Sequence, residues 1–210
     1  MNKQNINQIF YIFSTQNPNP KTELEYKNEY TLLVAIVLSA QSTDISVNKA
    51  TKSLFDKIKT PKGMLKLGEN QLKKHIKTIG LYNSKAKNII KLSKMLVDDF
   101  NNKIPDTITE LQLLPGVGRK TANVFLNCAR NRDTIGVDTH VERVSNRIGI
   151  VNTNNPLQTE KALLATIPNI WKQHAHHWLI LHGRYICKAR TPLCKKCIIS
   201  HLCYYKKKTC

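Results

Sequence analysis

Apolar residues recur at helical spacing along nearly the whole chain, and no other feature constrains the fold as strongly. No run alternates apolar and polar residues for long enough to predict a strand. The longest apolar run, Leu32–Ala40, is apolar on every side, which is typical of a buried helix. It is too short to cross a bilayer. We therefore expect an all-α fold.

Prolines, glycines and capping residues mark the ends of the helices. Asp44 is expected to cap one helix, Pro61 to end that region, and Gly80 to stop a later helix. The segments that these signals predict as helical are 6–14, 32–40, 44–58, 72–79, 107–114, 121–130, 139–147, 156–166 and 175–185, together with a helix that Asn83 or Ser84 caps and that runs through Phe100.

The charge of the chain points to a polyanionic partner. Thirty-three Lys and Arg face fourteen Asp and Glu, a net charge of +19, and nucleic acid is the commonest polyanion that binds such proteins. Coding bias could exchange Arg for Lys but would not by itself deplete acids. The polar segment Met1–Gln8 lacks an apolar signal core, so we expect a cytoplasmic protein with reduced cysteines.

The most informative stretch is Leu111–Ala122, LQLLPGVGRKTA. A P-loop needs a glycine directly before the lysine, where Arg119 stands, and a dinucleotide fingerprint needs a third glycine at Thr121. A short helix, a tight turn and a second helix remain. Gly116 and Gly118 permit positive φ and a close approach of the backbone to another molecule. The start of the second helix offers an anion site, so the pattern predicts a helix–hairpin–helix element that binds a DNA phosphate.

Lys120 is the candidate nucleophile. It lies in the first turn of the second helix beside Arg119, where positive potential favours the free amine that attacks an electrophile. The alternative is that Lys120 only binds a phosphate, and the turn alone does not separate the two roles.

Asp138 is the second candidate catalytic residue. Thr139 and Glu142 have capping-box spacing, which predicts a helix that begins there, directly after Asp138. Helix capping is therefore an alternative role for the carboxylate. Acids are scarce in this chain, however, and this one lies among mostly apolar neighbours.

PGVGRK at 115–120, followed by VDTH at 137–140, resembles the helix–hairpin–helix DNA glycosylase superfamily, and Lys120 points to its endonuclease III branch. The resemblance implies that Lys120 attacks C1′ of a damaged nucleotide flipped out of the duplex, and that a Schiff base forms as the base leaves. Elimination of the 3′ phosphate then cuts the strand. Asp138 would stabilise the positive charge on the sugar. The implied partner is double-stranded DNA with oxidised pyrimidines or abasic sites. The protein is expected to bind it as a monomer and to have no membrane partner.

Two further stretches match the same family, so that the resemblance extends from about residue 22 to residue 205. In LSAQSTD at 38–44, the resemblance places Gln41 in the gap left by the flipped base. In IGLYNSKA at 79–86, it makes Leu81 an apolar wedge that enters the stack. From the residues alone, Gln41 is an ordinary loop amide and Leu81 an ordinary helix-boundary residue.

Four of the six cysteines fall within seventeen residues, at Cys187, Cys194, Cys197 and Cys203. Four thiolates so close in a reduced protein predict a metal site. Structural zinc sites usually use two tight pairs, whereas here only one pair is tight and the longer spans suit a 4Fe–4S cluster. The residues alone leave both open.

The cysteine spacing of the family matches the cluster. The resemblance further implies that the loop Lys188–Leu193, with Lys188 and Arg190, is held against DNA phosphates. Cys128 is expected to be a core residue, Cys210 a disordered terminal thiol, and the histidines between 174 and 182 packing or surface residues.

The expected architecture has two helical lobes with DNA between them. Residues 22–132 would form a helical barrel with the hairpin, and 1–21 plus 133–210 the iron–sulfur domain, so that Lys120 and Asp138 approach from opposite sides. The nearest rival enzyme is an adenine glycosylase of the same superfamily. Such an enzyme usually lacks a lysine at the position of Lys120 and carries an extra C-terminal domain. A non-catalytic DNA-binding or iron–sulfur redox protein is the rival from another class, and Lys120 with Asp138 argues against it.

Overall fold

The computed structural model describes residues 1–209, and Cys210 lies outside the described residues. Within this range the chain forms eleven α-helices, one 3₁₀ turn and no strand, which confirms the all-α prediction. The helices are α1 (Lys3–Gln16), α2 (Glu29–Ser39), α3 (Asp44–Lys57), α4 (Pro61–Leu67), α5 (Glu69–Ile76), α6 (Tyr82–Asp98), α7 (Ile108–Leu111), α8 (Arg119–Arg130), α9 (Thr139–Ile148), α10 (Pro156–Thr166) and α11 (Asn169–Tyr185). The 3₁₀ turn is Cys194–Lys196.

The chain divides into two compact units. One is Glu23–Arg130, called here the hairpin unit. The other combines Met1–Thr22 with the chain from Asn131 onward and is called the cysteine unit.

Helix α2 is the centre of the hairpin unit. Every residue from Tyr30 to Leu38 is buried, and the helix packs against α3, α6 and α8. Its start is fixed by a capping box, because the Asn28 side chain accepts from the backbone N–H of Thr31 at 3.0 Å and the Thr31 hydroxyl accepts from that of Asn28 at 2.9 Å. The all-apolar run therefore is the buried helix that the sequence predicts.

Several predicted helix boundaries in this unit are wrong. Gly80 does not stop a helix, because α5 already ends at Ile76 with Lys77 as its C-cap. Pro61 begins α4 rather than ending the region, since proline fits the first helical position and the Thr60 hydroxyl accepts from the N–H of Gly63 at 3.1 Å. Thr43, not Asp44, caps α3, because its hydroxyl accepts from the N–H of Ser46 at 3.2 Å.

The cysteine unit is built around α11, which packs against α9 and α1. Phe10 and Phe13 of α1 are buried in its core, and the Trp178 indole donates to the carbonyl of Asn17 at 2.9 Å. His177 and His182 are also buried, and burial lowers the pKa of each to about 4. Both rings are therefore neutral at neutral pH, as packing residues should be.

Helix α11 starts at Asn169, six residues before the predicted start at Ala175. No side chain caps it, and the residue before it is Pro168, so the usual capping signal is missing. Nowhere in residues 1–209 is a helix long and apolar enough to span a membrane.

Candidate functional site

The glycine turn connects α7 to α8 in the hairpin unit. The N–H of Val117 donates to the carbonyl of Leu114 at 3.0 Å and closes the turn. Gly116 has φ of +84°, and a Cβ there would lie 3.1 Å from Cβ of Asn88 and 3.3 Å from Cγ1 of Val37. Only glycine fits this position without strain or displacement of its neighbours.

Gly118 differs from Gly116, which corrects the expectation that both glycines supply positive φ. Its φ is not in the left-handed region, and a Cβ there would meet nothing within 4 Å. Gly118 precedes α8, and its carbonyl accepts from the N–H of Ala122 at 2.9 Å. The open space leaves its backbone accessible to another molecule.

Lys120 is the second residue of α8 and is partly exposed, next to the exposed Arg119. The N–H groups of this first helical turn have no acceptor within the helix and carry the positive end of the helix dipole. Cys128 lies further along α8 against the core of the hairpin unit. Burial raises the pKa of the Cys128 thiol to about 12, and the charge of Lys120 opposes this shift. Cys128 is thus a protonated packing residue.

The two segments that carry Gln41 and Leu81 lie against each other. A Cβ at Gly80 would be 3.8 Å from the carbonyl oxygen of Gln41. Gln41 follows α2 with φ of +53° and is exposed, and Leu81 precedes α6 with φ of +59° and is 60% exposed. Left-handed backbone is uncommon for glutamine and leucine, and such strain concentrates at functional positions.

Lys85 is a residue of this region that the sequence analysis missed. It is only 6% exposed, and its amine donates to the Ser42 hydroxyl at 2.8 Å. Burial lowers the pKa of Lys85. Its helical phase is the signal that could have revealed it, because Lys85 lies on the same buried face of α6 as Ile89 and Leu92.

Asp138 is the N-cap of α9. Its Oδ1 accepts from the backbone N–H groups of His140 and Val141, both at 2.9 Å. The capping role that the sequence left open is therefore real. Across the described residues no hydrogen bond reaches Oδ2, and the side chain is partly exposed, so one oxygen remains available. Asp138 belongs to the cysteine unit and Lys120 to the hairpin unit, and their approach to each other stays a prediction.

The four C-terminal cysteines line a single pocket, at Cys187, Cys194, Cys197 and Cys203. Burial raises the pKa of Cys197 to about 11, and the charges of the other three sulfurs act in the same direction. Four sulfur donors that repel one another as thiolates fit a cationic metal group that would relieve the repulsion. No three His, Cys, Asp or Glu side chains of residues 1–209 are arranged to share a single metal ion.

Two arginines of α9 donate hydrogen bonds to the segment 187–193, called here the cysteine loop, and the sequence analysis missed both. Arg147 donates to the carbonyls of Lys188 and Ala189, each at 2.7 Å, and to Sγ of Cys187 at 3.7 Å. Arg143 donates to the carbonyl of Cys187 at 3.1 Å. The planar fork of a guanidinium suits such paired carbonyls.

A signal for these arginines exists in the sequence. Only seven of the 33 basic residues are Arg, and two of them lie four residues apart on α9. The predicted DNA contacts Lys188 and Arg190 are exposed on the loop that the arginines hold.

Comparison with known proteins agrees with these features. Residues 34–169 match the model of the HhH-GPD superfamily base excision DNA repair proteins. The endonuclease III of Rickettsia felis is 60% identical over 98% of this chain and 96% of its own length, and that of Escherichia coli K12 is 51% identical over 99% of each.

Solved structures agree as well. A non-covalent endonuclease III–DNA complex is similar with a TM-score of 0.91 and 44% identity, covering 97% of this chain and 96% of that chain. A trapped endonuclease III–DNA covalent intermediate is similar with a TM-score of 0.90, at the same identity and coverage. The family match and the relatives, which cover nearly the whole chain, show that this protein belongs to the endonuclease III family of the HhH-GPD base excision DNA repair proteins.

Proposed function

We propose that this protein is a bifunctional DNA N-glycosylase and abasic-site lyase, which removes oxidised pyrimidines from double-stranded DNA and cuts the strand through a Schiff base on Lys120. The observation that carries this proposal is the position of Lys120. It lies in the first turn of α8, directly after a glycine turn whose backbone is accessible at Gly118. An endonuclease III has been trapped as a covalent intermediate with DNA, which supports an enzyme nucleophile in this chain too.

The hairpin would hold one phosphate. The accessible backbone of Gly118 and the first N–H groups of α8 present donors with the positive end of the helix dipole behind them. Arg119 would add a second positive charge. The sugar of the bound nucleotide then lies near the start of α8, where Lys120 projects from the same turn.

The chemistry follows from an amine next to C1′. The free amine of Lys120 forms a bond to C1′ while the glycosidic bond breaks, and the base leaves with the electron pair and accepts a proton. The amine gives up one proton, and O4′ accepts one as the C1′–O4′ bond breaks, which leaves a protonated imine on the open sugar. Removal of a proton from C2′ then forms the C2′–C3′ double bond as the C3′–O bond breaks and the 3′ phosphate leaves. Asp138, whose Oδ2 accepts no hydrogen bond within residues 1–209, would stabilise the developing positive charge and accept the proton from Lys120.

Flipping would depend on Gln41 and Leu81. Unstacking a base costs a few kcal/mol, and least when the base is damaged. The 60% exposed side chain of Leu81 can replace part of the lost stacking, as apolar wedges do in other DNA-bending proteins. Gln41 would fill the gap and satisfy the unpaired base opposite with hydrogen bonds.

The cysteines would hold the cofactor. We propose that the pocket lined by the four cysteines binds one 4Fe–4S cluster, which when bound supplies four iron–sulfur bonds that fix the C-terminal chain. Arg147 would then orient the loop so that Lys188 and Arg190 meet the DNA backbone. We place this repair on the nucleoid DNA of the cytoplasm.

Metal analysis tests the cofactor. The purified protein should be brown with about four irons per chain, and Cys197→Ser should lose both iron and stability, because metal binding and folding of this segment are coupled. Cys128→Ser is the matched control and should keep its iron. One zinc in a colourless protein would contradict the cluster.

Borohydride trapping tests the nucleophile. Borohydride reduces an imine between Lys120 and abasic DNA to a stable bond, so the wild type should give a covalent protein–DNA adduct. Lys120→Gln keeps length and hydrogen bonding, and it should bind DNA while trapping falls about a thousandfold or more.

Arg119→Gln is the matched control for the nucleophile, since it removes the neighbouring charge on the same turn. It should bind more weakly but still trap at saturating protein. Efficient trapping by Lys120→Gln, or a loss of affinity in proportion to its loss of activity, would show that Lys120 is only a phosphate contact.

A further inference from the structure

A buried lysine joins the two segments that we assign to opening the DNA stack. Lys85 lies in the first turn of α6, four residues after Leu81, and Ser42 directly follows Gln41. The Lys85 amine donates to the Ser42 hydroxyl at 2.8 Å although the residue is only 6% exposed. The contact therefore links the wedge segment to the gap-filling segment across 43 residues of sequence.

The backbones of the same two segments also lie close together. The position of a Cβ at Gly80 would be 3.8 Å from the carbonyl oxygen of Gln41. Gln41 and Leu81 are both non-glycine residues with φ near +55°, at 53° and 59°. Such conformations persist only where surrounding contacts hold them. The hydrogen bond from Lys85 to Ser42, which is next to Gln41 and one helical turn from Leu81, is a contact of this kind.

A buried lysine of this kind is costly for a fold. An ammonium group has three donors, and within the described residues the Lys85 amine donates to Ser42 Oγ. Replacing a buried charged side chain by an apolar one of similar volume often leaves the folding stability unchanged or raises it. The low exposure also makes Lys85 a poor direct phosphate contact, in contrast to the exposed Lys87 on the same helix. These features favour a role in function over a role in stability.

We propose that Lys85 is a positioning residue which, through Ser42, holds the Gln41 segment against the start of α6, so that Gln41 and Leu81 enter the duplex together as a single probe. This inference rests on the proposed function of Gln41 and Leu81. The lowered pKa that burial gives Lys85 agrees with a group held away from solvent. Without the link, each segment would have to adopt its strained conformation separately during base flipping.

The test compares a paired lesion with an abasic site, which has no base to unstack. Ser42→Ala removes the acceptor, and Lys85→Met removes the charge with little change of shape. Each should slow single-turnover removal of thymine glycol paired with adenine about tenfold, the factor for one hydrogen bond to a charged group. Strand cleavage at an abasic site should change by less than about twofold.

A fluorescent base gives a readout that a general loss of stability would not move. In duplexes with 2-aminopurine beside the lesion, fluorescence rises on unstacking, and both variants should slow this rise at saturating protein. Because both remove the same contact, the double variant should be no slower than the slower single variant. Lys87→Met, which removes an exposed charge two residues away, is the matched control and should weaken binding without slowing the rise.

Leu81→Ala, measured in parallel, separates the inference from the proposed function. If Leu81→Ala slows the paired lesion while Ser42→Ala and Lys85→Met do not, the wedge stands and the positioning role is overturned. Equal slowing on paired and abasic DNA would also overturn it. If Leu81→Ala leaves the paired lesion unaffected, the wedge itself is wrong and the inference falls with it.

Discussion

At the residue scale, Asp138 shows how a helix cap can keep a free carboxylate oxygen. Both capping hydrogen bonds, from His140 and Val141, go to Oδ1. The cap fixes the side chain against the start of α9, and within the described residues Oδ2 accepts no hydrogen bond. The two roles that the sequence offered for Asp138 are therefore compatible, because each can use a different oxygen.

Two substitutions of Asp138 should separate these roles. Asn caps helices about as well as Asp, so Asp138→Asn should unfold near the wild-type urea midpoint while turnover falls about a hundredfold or more through loss of the charge. Asp138→Ala should show the same loss of turnover and also lose about 1 kcal/mol of stability. A single-turnover assay and urea unfolding measure the two effects. Wild-type turnover in Asp138→Asn would leave capping as the only role.

At the scale of elements, helix ends were predictable where capping signals were unambiguous. Helix α10 was predicted with the observed bounds, because Asn155 caps it and Pro156 occupies its first position. Pro61 has the same position in α4, but a proline shortly after an amphipathic helix also predicts an ending. Sequence cannot choose between these readings without the tertiary contacts that decide whether a seven-residue helix forms.

The turn between α7 and α8 shows the same limit within one motif. The sequence identified the hairpin but treated Gly116 and Gly118 alike. The structure separates them, because the backbone of Gly116 is left-handed and packed against Asn88 and Val37, whereas Gly118 has neither feature. The packing depends on residues that are distant in sequence, which a local motif does not encode.

Alanine at Gly116 should therefore lower folding stability, whereas alanine at Gly118 should lower DNA affinity. Gly116→Ala should cost about 1–3 kcal/mol of folding stability through strained φ and overpacking. Gly118→Ala should unfold within about 0.5 kcal/mol of the wild type. Its methyl group would occupy the surface offered to a phosphate, so its affinity for abasic DNA should fall about tenfold. Urea unfolding and fluorescence anisotropy measure these quantities, and a stable Gly116→Ala protein would contradict the strain.

At the scale of the whole molecule, the sequence predicted what is local and missed what joins distant segments. The four cysteines lie within seventeen residues, so their shared pocket could be expected from spacing. Arg147 contacts the loop at Lys188 across 41 residues, and Lys85 contacts Ser42 across 43. Neither pairing leaves a periodic signal. The sequence therefore marks Lys85 and Arg147 as unusual residues, through burial phase and arginine usage, but does not name the distant segments that they contact.

The net charge of +19 makes the salt dependence of DNA binding a test of where phosphates lie. Binding releases about 0.9 counterion per neutralised phosphate, so log Kd should rise linearly with log salt concentration. Lys188 is exposed on the loop held by Arg147, and Lys188→Met should reduce that slope by about 0.9 if the residue meets one phosphate. Lys161→Met, at an exposed position of α10, is the matched control and should leave the slope unchanged. Titrations of an abasic-site duplex across salt concentrations measure both, and equal slopes for Lys188→Met and wild type would remove the cysteine loop from the DNA interface.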